Sequence, residues 1–250
     1  MFHNRQDAAL QLAETLKGRK LRNPVVLAIP RGGVVTGAIL AQKLGAELDV
    51  VLSRKLHAPG QPELALGAVS EDGNIYLNRY AQEYPDLTEE YLSEERRQQL
   101  AEIERRKKLF RDIRPPAPIQ DRSVIVTDDG IATGSTMIAA LQTTKLQNPH
   151  EIIVVVPVVS PERIPEIRRW CDDLVYLLAP EEFWAIGQFY EDFEQIPDDE
   201  VIALLQEVNS MKEHQGKTRG GDHGQVQRRS GRPVHPERTD DRLHGSANPR

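Results

Sequence analysis

The sequence predicts an α/β fold built on a central, mainly parallel sheet, and three observations carry that prediction. Short all-apolar, β-branched runs recur at Val25 to Ile29, Val124 to Val126 and Ile152 to Val159, as strands buried on both faces require. Apolar residues at helical spacing follow the first two, at Val34 to Leu44 and Met137 to Leu146. Glycine-bearing turns lie between, and strands alternating with helices imply crossover units around one sheet.

Asn4 to Lys17 carries Ala9, Leu12, Ala13 and Leu16 at helical spacing and stops at Gly18, so it reads as a covering helix. Pro24 introduces the first strand, which runs into Pro30-Arg31-Gly32-Gly33 before the helix from Val34. Taken alone, the two glycines make a tight βα turn. Leu48 to Ser53 reads as a third strand ending in Arg54-Lys55, two cations that suit a solvated strand end as well as a site. Leu56 to Pro62 has no periodicity and reads as a loop, while Leu64 to Ser70 and Asn74 to Asn78 read as strands joined at Glu71-Asp72-Gly73, a hairpin signal.

Thr88 to Arg111 is a long charged helix with a thin apolar stripe. Its Arg105, Arg106, Lys107 and Lys108 lie among Glu102 and Glu104, which favours a solvated face over a nucleic-acid patch. The stiff connector Arg114 to Pro118 stops it. Beyond Ile152 to Val159, Ser160-Pro161 opens a helix and Leu174 to Leu178 supplies another strand. Ala179 to Pro197 then concentrates Phe183, Trp184, Phe189, Tyr190 and Phe193, and Pro197 to Val208 reads as a last helix. From Asn209 onward there are no aromatics and no periodicity. The division is therefore one folded unit over 1–208 and a disordered polar tail over 209–250, whose irregular histidines make no metal site.

Composition narrows the function. With 250 residues, 39% of them hydrophobic, the chain can bury a sizeable core. Cys171 is its one cysteine, which excludes a disulfide framework and a Cys-based zinc site and suits a reducing, cytoplasmic setting. No apolar run approaches a membrane span, and Phe2-His3-Asn4 does not open a signal peptide. The net charge is −6, and the tail after Val208 is basic, so the folded unit is more acidic still. Such a body is a poor nucleic-acid binder, and any basic site for an anion must be local.

The most informative stretch is Ser123 to Thr136, SVIVTDDGIATGST. A buried strand ends in Asp128 and Asp129, and a small-residue loop then leads into a helix, an arrangement that aims backbone N–H groups at a phosphate. Gly130 and Gly134 permit a tight nest, and Thr133, Ser135 and Thr136 add hydroxyl donors. Adjacent carboxylates repel a phosphate, so the acids need sugar hydroxyls or a divalent cation. A ligand carrying both a phosphate and a diol satisfies the whole stretch. The Walker A pattern fails, because Gly32 to Gly37 continues Ala38-Ile39, and no G-x-G-x-x-G is present.

VIVTDDGIATGST resembles the phosphoribosyl pyrophosphate (PRPP) motif of the type I phosphoribosyltransferases, and the order of elements from Asn4 to Gln206 is similar to an uncharacterised branch of that family. The resemblance implies a three-layer α/β/α domain with a β-hairpin catalytic loop, closing over the pyrophosphate, and a small C-terminal hood over about 179–197. It implies transfer of a phosphoribosyl group from PRPP, carried with Mg²⁺, to a nitrogenous base with release of pyrophosphate. Asp128 and Asp129 would hold the ribose hydroxyls, directly or through the metal, and lie outside the core. Gly130, Ile131, Ala132, Thr133, Gly134, Ser135 and Thr136 would bind the 5-phosphate. Arg31, Gly32, Gly33, Arg54 and Lys55 would stabilise the leaving pyrophosphate, with Arg31 and Lys55 counted as catalytic alongside the two acids. Phe183 and Trp184 of the hood would cover the base. Ala132 stands where the hypoxanthine-guanine relatives carry an aspartate base, so that role passes to no residue. The family reading allows a homodimer and involves neither nucleic acid nor membrane. The alternative is a non-catalytic regulator that keeps the fold and binds PRPP or a nucleotide.

Overall fold

The computed structural model describes residues 1–78, 81, 84, 86–113 and 115–219; Arg114 of the connector and 220–250 of the tail lie outside the described residues. Helix α1 (Arg5–Thr15) is capped by Asn4, whose side chain accepts from the Asp7 amide. Strand β1 (Val25–Ala28), helix α2 (Gly32–Leu44) and strand β2 (Glu47–Val50) follow. Next come β3 (Ser53–Ala58), β4 (Gln61–Ser70), β5 (Ile75–Leu77) and the long helix α3 (Glu89–Arg111). The second half holds β6 (Ser123–Thr127), α4 (Ser135–Lys145), β7 (Glu151–Val158), the short α5 (Ile164–Ile167), β8 (Asp173–Leu178) and α6 (Asp198–Arg219).

The main sheet is parallel, in the order β2-β1-β6-β7-β8. Alternation along its strands divides the core. Val26, Ala28, Ile125, Ile153 and Val155 pack with Leu12, Val34, Leu40, Val201 and Leu205 on one face. Val25, Leu27, Val124, Val126 and Val154 pack with Met137, Ala140, Leu141 and Ile167 on the other. These are the three layers the fold class requires. Among the described residues, no helix is long and apolar enough to cross a membrane.

Three local expectations are corrected. The third strand does not run to Ser53: β2 ends at Val50, and Ser53 to Ala58, read as a strand end plus loop, opens a separate antiparallel sheet β3-β4-β5. Arg54 and Lys55 therefore sit on β3, paired with Val69 and Ala68 of β4, rather than at the end of a central strand. Residues of mixed polarity on a half-covered ribbon show little periodicity. Second, the helix opened at Ser160-Pro161 is a 3-10 turn, Pro161–Arg163, leading into only four residues of α5. Third, α6 does not stop at Val208 but continues to Arg219. Its buried stripe Val201, Leu205 and Val208 docks on the core, and the Asn209 side chain donates to the Leu48 carbonyl at 3.1 Å. A helix nucleated by docking propagates cheaply, one hydrogen bond for each residue added.

The hairpin is tied down at several points. Arg111 of α3 bonds Asp49 of β2 at 2.6 Å and pairs with Glu71 in the Glu71-Asp72-Gly73 turn, where Gly73 takes a φ of 81°.

Candidate functional site

Strands β1 and β6 lie side by side, with Val25 to Ala28 in register with Val124 to Thr127. The chain leaves β1 for β2 on one side and β6 for β7 on the other, so the strand order reverses between them. Ligand crevices of open α/β sheets form at such a point. Both loops that the sequence singles out emerge there.

Their approach is close. A Cβ on Gly33 would fall 2.8 Å from Asp128 Cα, and one on Gly32 would fall 1.9 Å from Asp129 Oδ2. The two glycines are thus required by the contact with the acid pair as well as by the turn. The Pro30-Arg31 peptide is cis. Neither α2, starting at Gly32, nor α4, starting at Ser135, has a side-chain cap at its N-terminus. Their first amides, with the positive ends of two helix dipoles, are left for an anion.

In the loop after β6, Gly134 has a φ of 76° and leads into α4, while Thr133 and Thr136 are exposed and Ala132 and Ser135 partly so. Ile131 is structural in its packing: its amide donates to the Val158 carbonyl at 2.9 Å and its side chain is buried. Gly130 meets the hood, where a Cβ would lie 2.7 Å from Ile186 Cγ2.

The acids differ from each other. Asp128 is partly exposed and accepts from the Asp129 amide at 2.8 Å. Desolvation, and after it the neighbouring Asp129 charge, hold its carboxyl well above the usual carboxylate range. Asp129, expected outside the core, is 8% exposed because Arg5 Nε donates to its Oδ2 at 2.9 Å. Tyr190 of the hood donates its hydroxyl to the Asp129 carbonyl at 2.6 Å.

The cations gather on the other wall. A cavity of about 390 Å³ is lined by Pro30, Arg54, Lys55, His57, Arg106 and Thr136, among others. A second, of about 240 Å³, is lined by Pro30, Arg31, Arg105, Arg106, Phe110 and Asp198. Glu95, buried on α3, accepts from the His57 amide at 3.0 Å, from His57 Nδ1 at 2.7 Å and from Gln99 Nε2 at 3.1 Å. Gln99 in turn accepts from Arg54 Nε at 3.1 Å. One carboxylate thereby orients both an imidazole and a guanidinium at the cavity.

The structure therefore brings Gly32 and Gly33 against Asp129 and Asp128, turns Arg31 toward Asp198, and places Arg54 and Lys55 in one cavity with Thr136. Of the hood aromatics, the two expected to cover the base stand apart: Phe183 packs on Phe189 at 5.0 Å between ring centroids, and Trp184 is 87% exposed. Sequence reasoning missed Arg5, His57, Glu95 and Arg106. Only Arg106 left a local signal, since it lies three residues after Ile103 and four before Phe110, both buried, and so shares their helical stripe.

A parallel sheet with two uncapped helix N-termini, a glycine loop and an acid pair at its switch point defines an α/β protein with anion-compatible groups gathered at its strand ends. The family is narrower: the phosphoribosyl transferase domain family matches residues 3–194, and the chain belongs to it. Two Mycobacterium tuberculosis proteins provisionally named phosphoribosyl transferases, MT0597 and Rv0571c, are each 39% identical over 205 residues, or 82% of this chain. The chain spans about half the length, 46%, of these curated relatives. The crystal structure of TT1426 from Thermus thermophilus is 43% identical and superposes with a TM-score of 0.78, covering 82% of this chain and 98% of that one.

Proposed function

We propose that this protein is a phosphoribosyltransferase that uses PRPP with Mg²⁺ to transfer a phosphoribosyl group to a nitrogenous base, releasing pyrophosphate. The observation that carries this is the meeting of the Arg31-Gly32-Gly33 turn with Asp128 and Asp129 where β1 and β6 diverge. A diphosphate on the first loop and a ribose phosphate on the second would then share one C1 atom between them. The base nitrogen would form its bond to C1 as the bond from C1 to the diphosphate oxygen breaks, with the electron pair leaving on that oxygen. Arg31, Arg54 and Lys55 would stabilise the growing negative charge, which is the differential binding that lowers a barrier. The loop from Gly130 to Thr136 would hold the 5-phosphate, and Asp128 the ribose hydroxyls.

The residues fit Mg²⁺ bound in one way. That ion commonly takes one or two carboxylates plus substrate phosphates, and Asp128 is a partly exposed carboxylate beside the diphosphate loop. Among the described residues, no group of three or more His, Cys, Asp or Glu forms a dedicated cage. When bound, the ion would offset part of the diphosphate charge.

One observation favours a second reading. Asp129 is already engaged by Arg5, which a non-catalytic regulator that binds PRPP or a nucleotide would tolerate. A screen of candidate bases for PRPP-dependent pyrophosphate release separates the two. Release with any base establishes the transferase, PRPP binding without release from any base establishes the regulator, and absence of PRPP binding overturns both.

A further inference from the structure

The charge distribution around Pro30 calls for an anion ligand that lies outside the sequence motifs. Arg106 lines both cavities described above, and Pro30 is the other residue they share. Its position on the Ile103–Phe110 stripe turns it inward. No hydrogen bond or ion pair engages its guanidinium among the described residues. Among the described residues, three of the cations nearby are only weakly balanced. Arg31 Nη1 is 4.0 Å from Asp198 Oδ1, Arg105 Nε is 3.6 Å from the exposed Glu102, and Arg54 Nε bonds the neutral Gln99. Burial, and then the Arg54 and Arg105 charges, push the Arg106 guanidinium below its ordinary value, with Asp198 opposing. Holding a half-buried cation among like charges costs free energy unless an anion completes the set.

We propose that Arg106 of α3 is a binding residue for the outer phosphate of a diphosphate group seated on the Pro30–Gly33 turn, acting with Arg31 and Arg54. The inference rests on the proposed function, which supplies the diphosphate. It makes the long charged helix a third wall of the site, beside the two loops of the parallel sheet. A planar guanidinium suits this task, because it presents a rigid fork of donors to phosphate oxygens. The ligand class follows from the two adjoining cavities: an anion of at least two phosphates spans from the turn to Arg106, whereas a single phosphate on the turn gains less from it.

The test is calorimetric titration of the full chain with inorganic pyrophosphate in Mg²⁺, and with inorganic phosphate, for wild type, Arg106→Gln, Arg106→Lys and Arg97→Gln. Arg97 is an exposed partner of Glu94 on the same helix and serves as the control. Arg106→Gln is expected to weaken pyrophosphate binding about tenfold or more, the order of a lost hydrogen bond to a charged group. Phosphate binding should change less, Arg106→Lys should recover part of the loss, and Arg97→Gln should match wild type. Because like-charge repulsion is relieved, the Gln variant should also melt no lower than wild type without ligand. Wild-type affinity for pyrophosphate in both Arg106 variants overturns the inference and leaves the proposed function standing. A wild type that binds neither pyrophosphate nor PRPP overturns the proposed function, and the inference with it. Should Arg106→Gln fail to fold, the Lys variant decides: it must fold and bind more weakly than wild type, and equal binding overturns the proposal.

Discussion

Arg5 Nε lies 2.9 Å from Asp129 Oδ2, joining the first turn of α1 to the acid pair at the end of β6. Both side chains are largely withdrawn from solvent, at 9% and 12% exposure. The same guanidinium donates Nη1 to the Glu194 carbonyl at 2.8 Å and lies 3.8 Å from the Phe193 ring centroid. One arginine therefore links the N-terminal helix, the hood and the proposed ribose site.

Asp129→Asn should be costly to the fold. Removing one partner of a buried pair leaves an uncompensated charge, typically worth about 3 kcal/mol or more. Urea denaturation should show that loss, and Arg5→Met should cost at least as much, because it strands the buried Asp129 carboxylate beside Asp128. A loss under about 1 kcal/mol in Asp129→Asn, the scale of an exposed pair, would show that solvent screens this contact.

The strand, acid pair, glycine loop and helix from Ser123 to Ser135 were legible because everything that defines them is local. Apolar β-branched residues, two acids and two glycines within one short stretch admit few other structures. Arg5 was not legible as the partner of Asp129, since a contact across so much sequence depends on topology. Nor was Glu95, which looks like any carboxylate on a charged helix until His57 and Gln99 are seen around it. Ser53 to Ala58 was misread because its strand character comes from pairing with β4. Its own alternation is weak. Long-range pairing overrides local pattern most easily in such short, half-covered strands.

Glu95→Ala should loosen the cation wall. It strands the His57 amide, the imidazole and the Gln99 amide without their shared acceptor, which should cost about 2 kcal/mol of stability. It should also weaken pyrophosphate binding, because Arg54 is oriented through Gln99. Calorimetry on Glu95→Ala and Glu95→Gln checks this, the Gln variant keeping one acceptor and losing less. Destabilisation with unaltered pyrophosphate affinity would show that the network braces the hairpin only.

Asp128 should make the stability of the folded chain fall as pH rises. Its folded value lies above the ordinary 3.8, so the folded chain keeps a proton that the unfolded chain has lost over the interval between the two. The stabilising contribution is fully present below the ordinary value and is lost as pH rises through the raised one. Asp128→Asn removes that dependence. Thermal melting from about pH 4 to pH 8 should therefore show the Asn variant gaining on wild type as pH rises. A wild type that gains on the Asn variant as pH rises would contradict the desolvated carboxyl. The same variant should bind PRPP more weakly, stability gained and ligand affinity lost being a common pairing at functional sites.

The hood makes a prediction that separates closure from contact with the base. Ile186 abuts Gly130 of the loop after β6, yet Trp184, two residues earlier, is 87% exposed, and its amide donates to Gln188 Oε1 at 2.8 Å. Trp170→Phe leaves Trp184 as the single tryptophan and retains a ring against Tyr76, whose edge-on contact with Trp170 spans 4.9 Å. In that variant, a soluble quencher should reach Trp184 readily in the free protein. If the hood covers the accepting base, a nucleotide product with Mg²⁺ should shield Trp184, since stacking on a base is worth about 1 to 3 kcal/mol. Ribose 5-phosphate has no base to stack on and should shield it less. Equal protection by both ligands would mean that the hood closes on the loop after β6 through Ile186 without touching the base. Unchanged quenching with either, once binding is confirmed by calorimetry, would remove Trp184 from the site and leave Phe183 as the hood residue to substitute next.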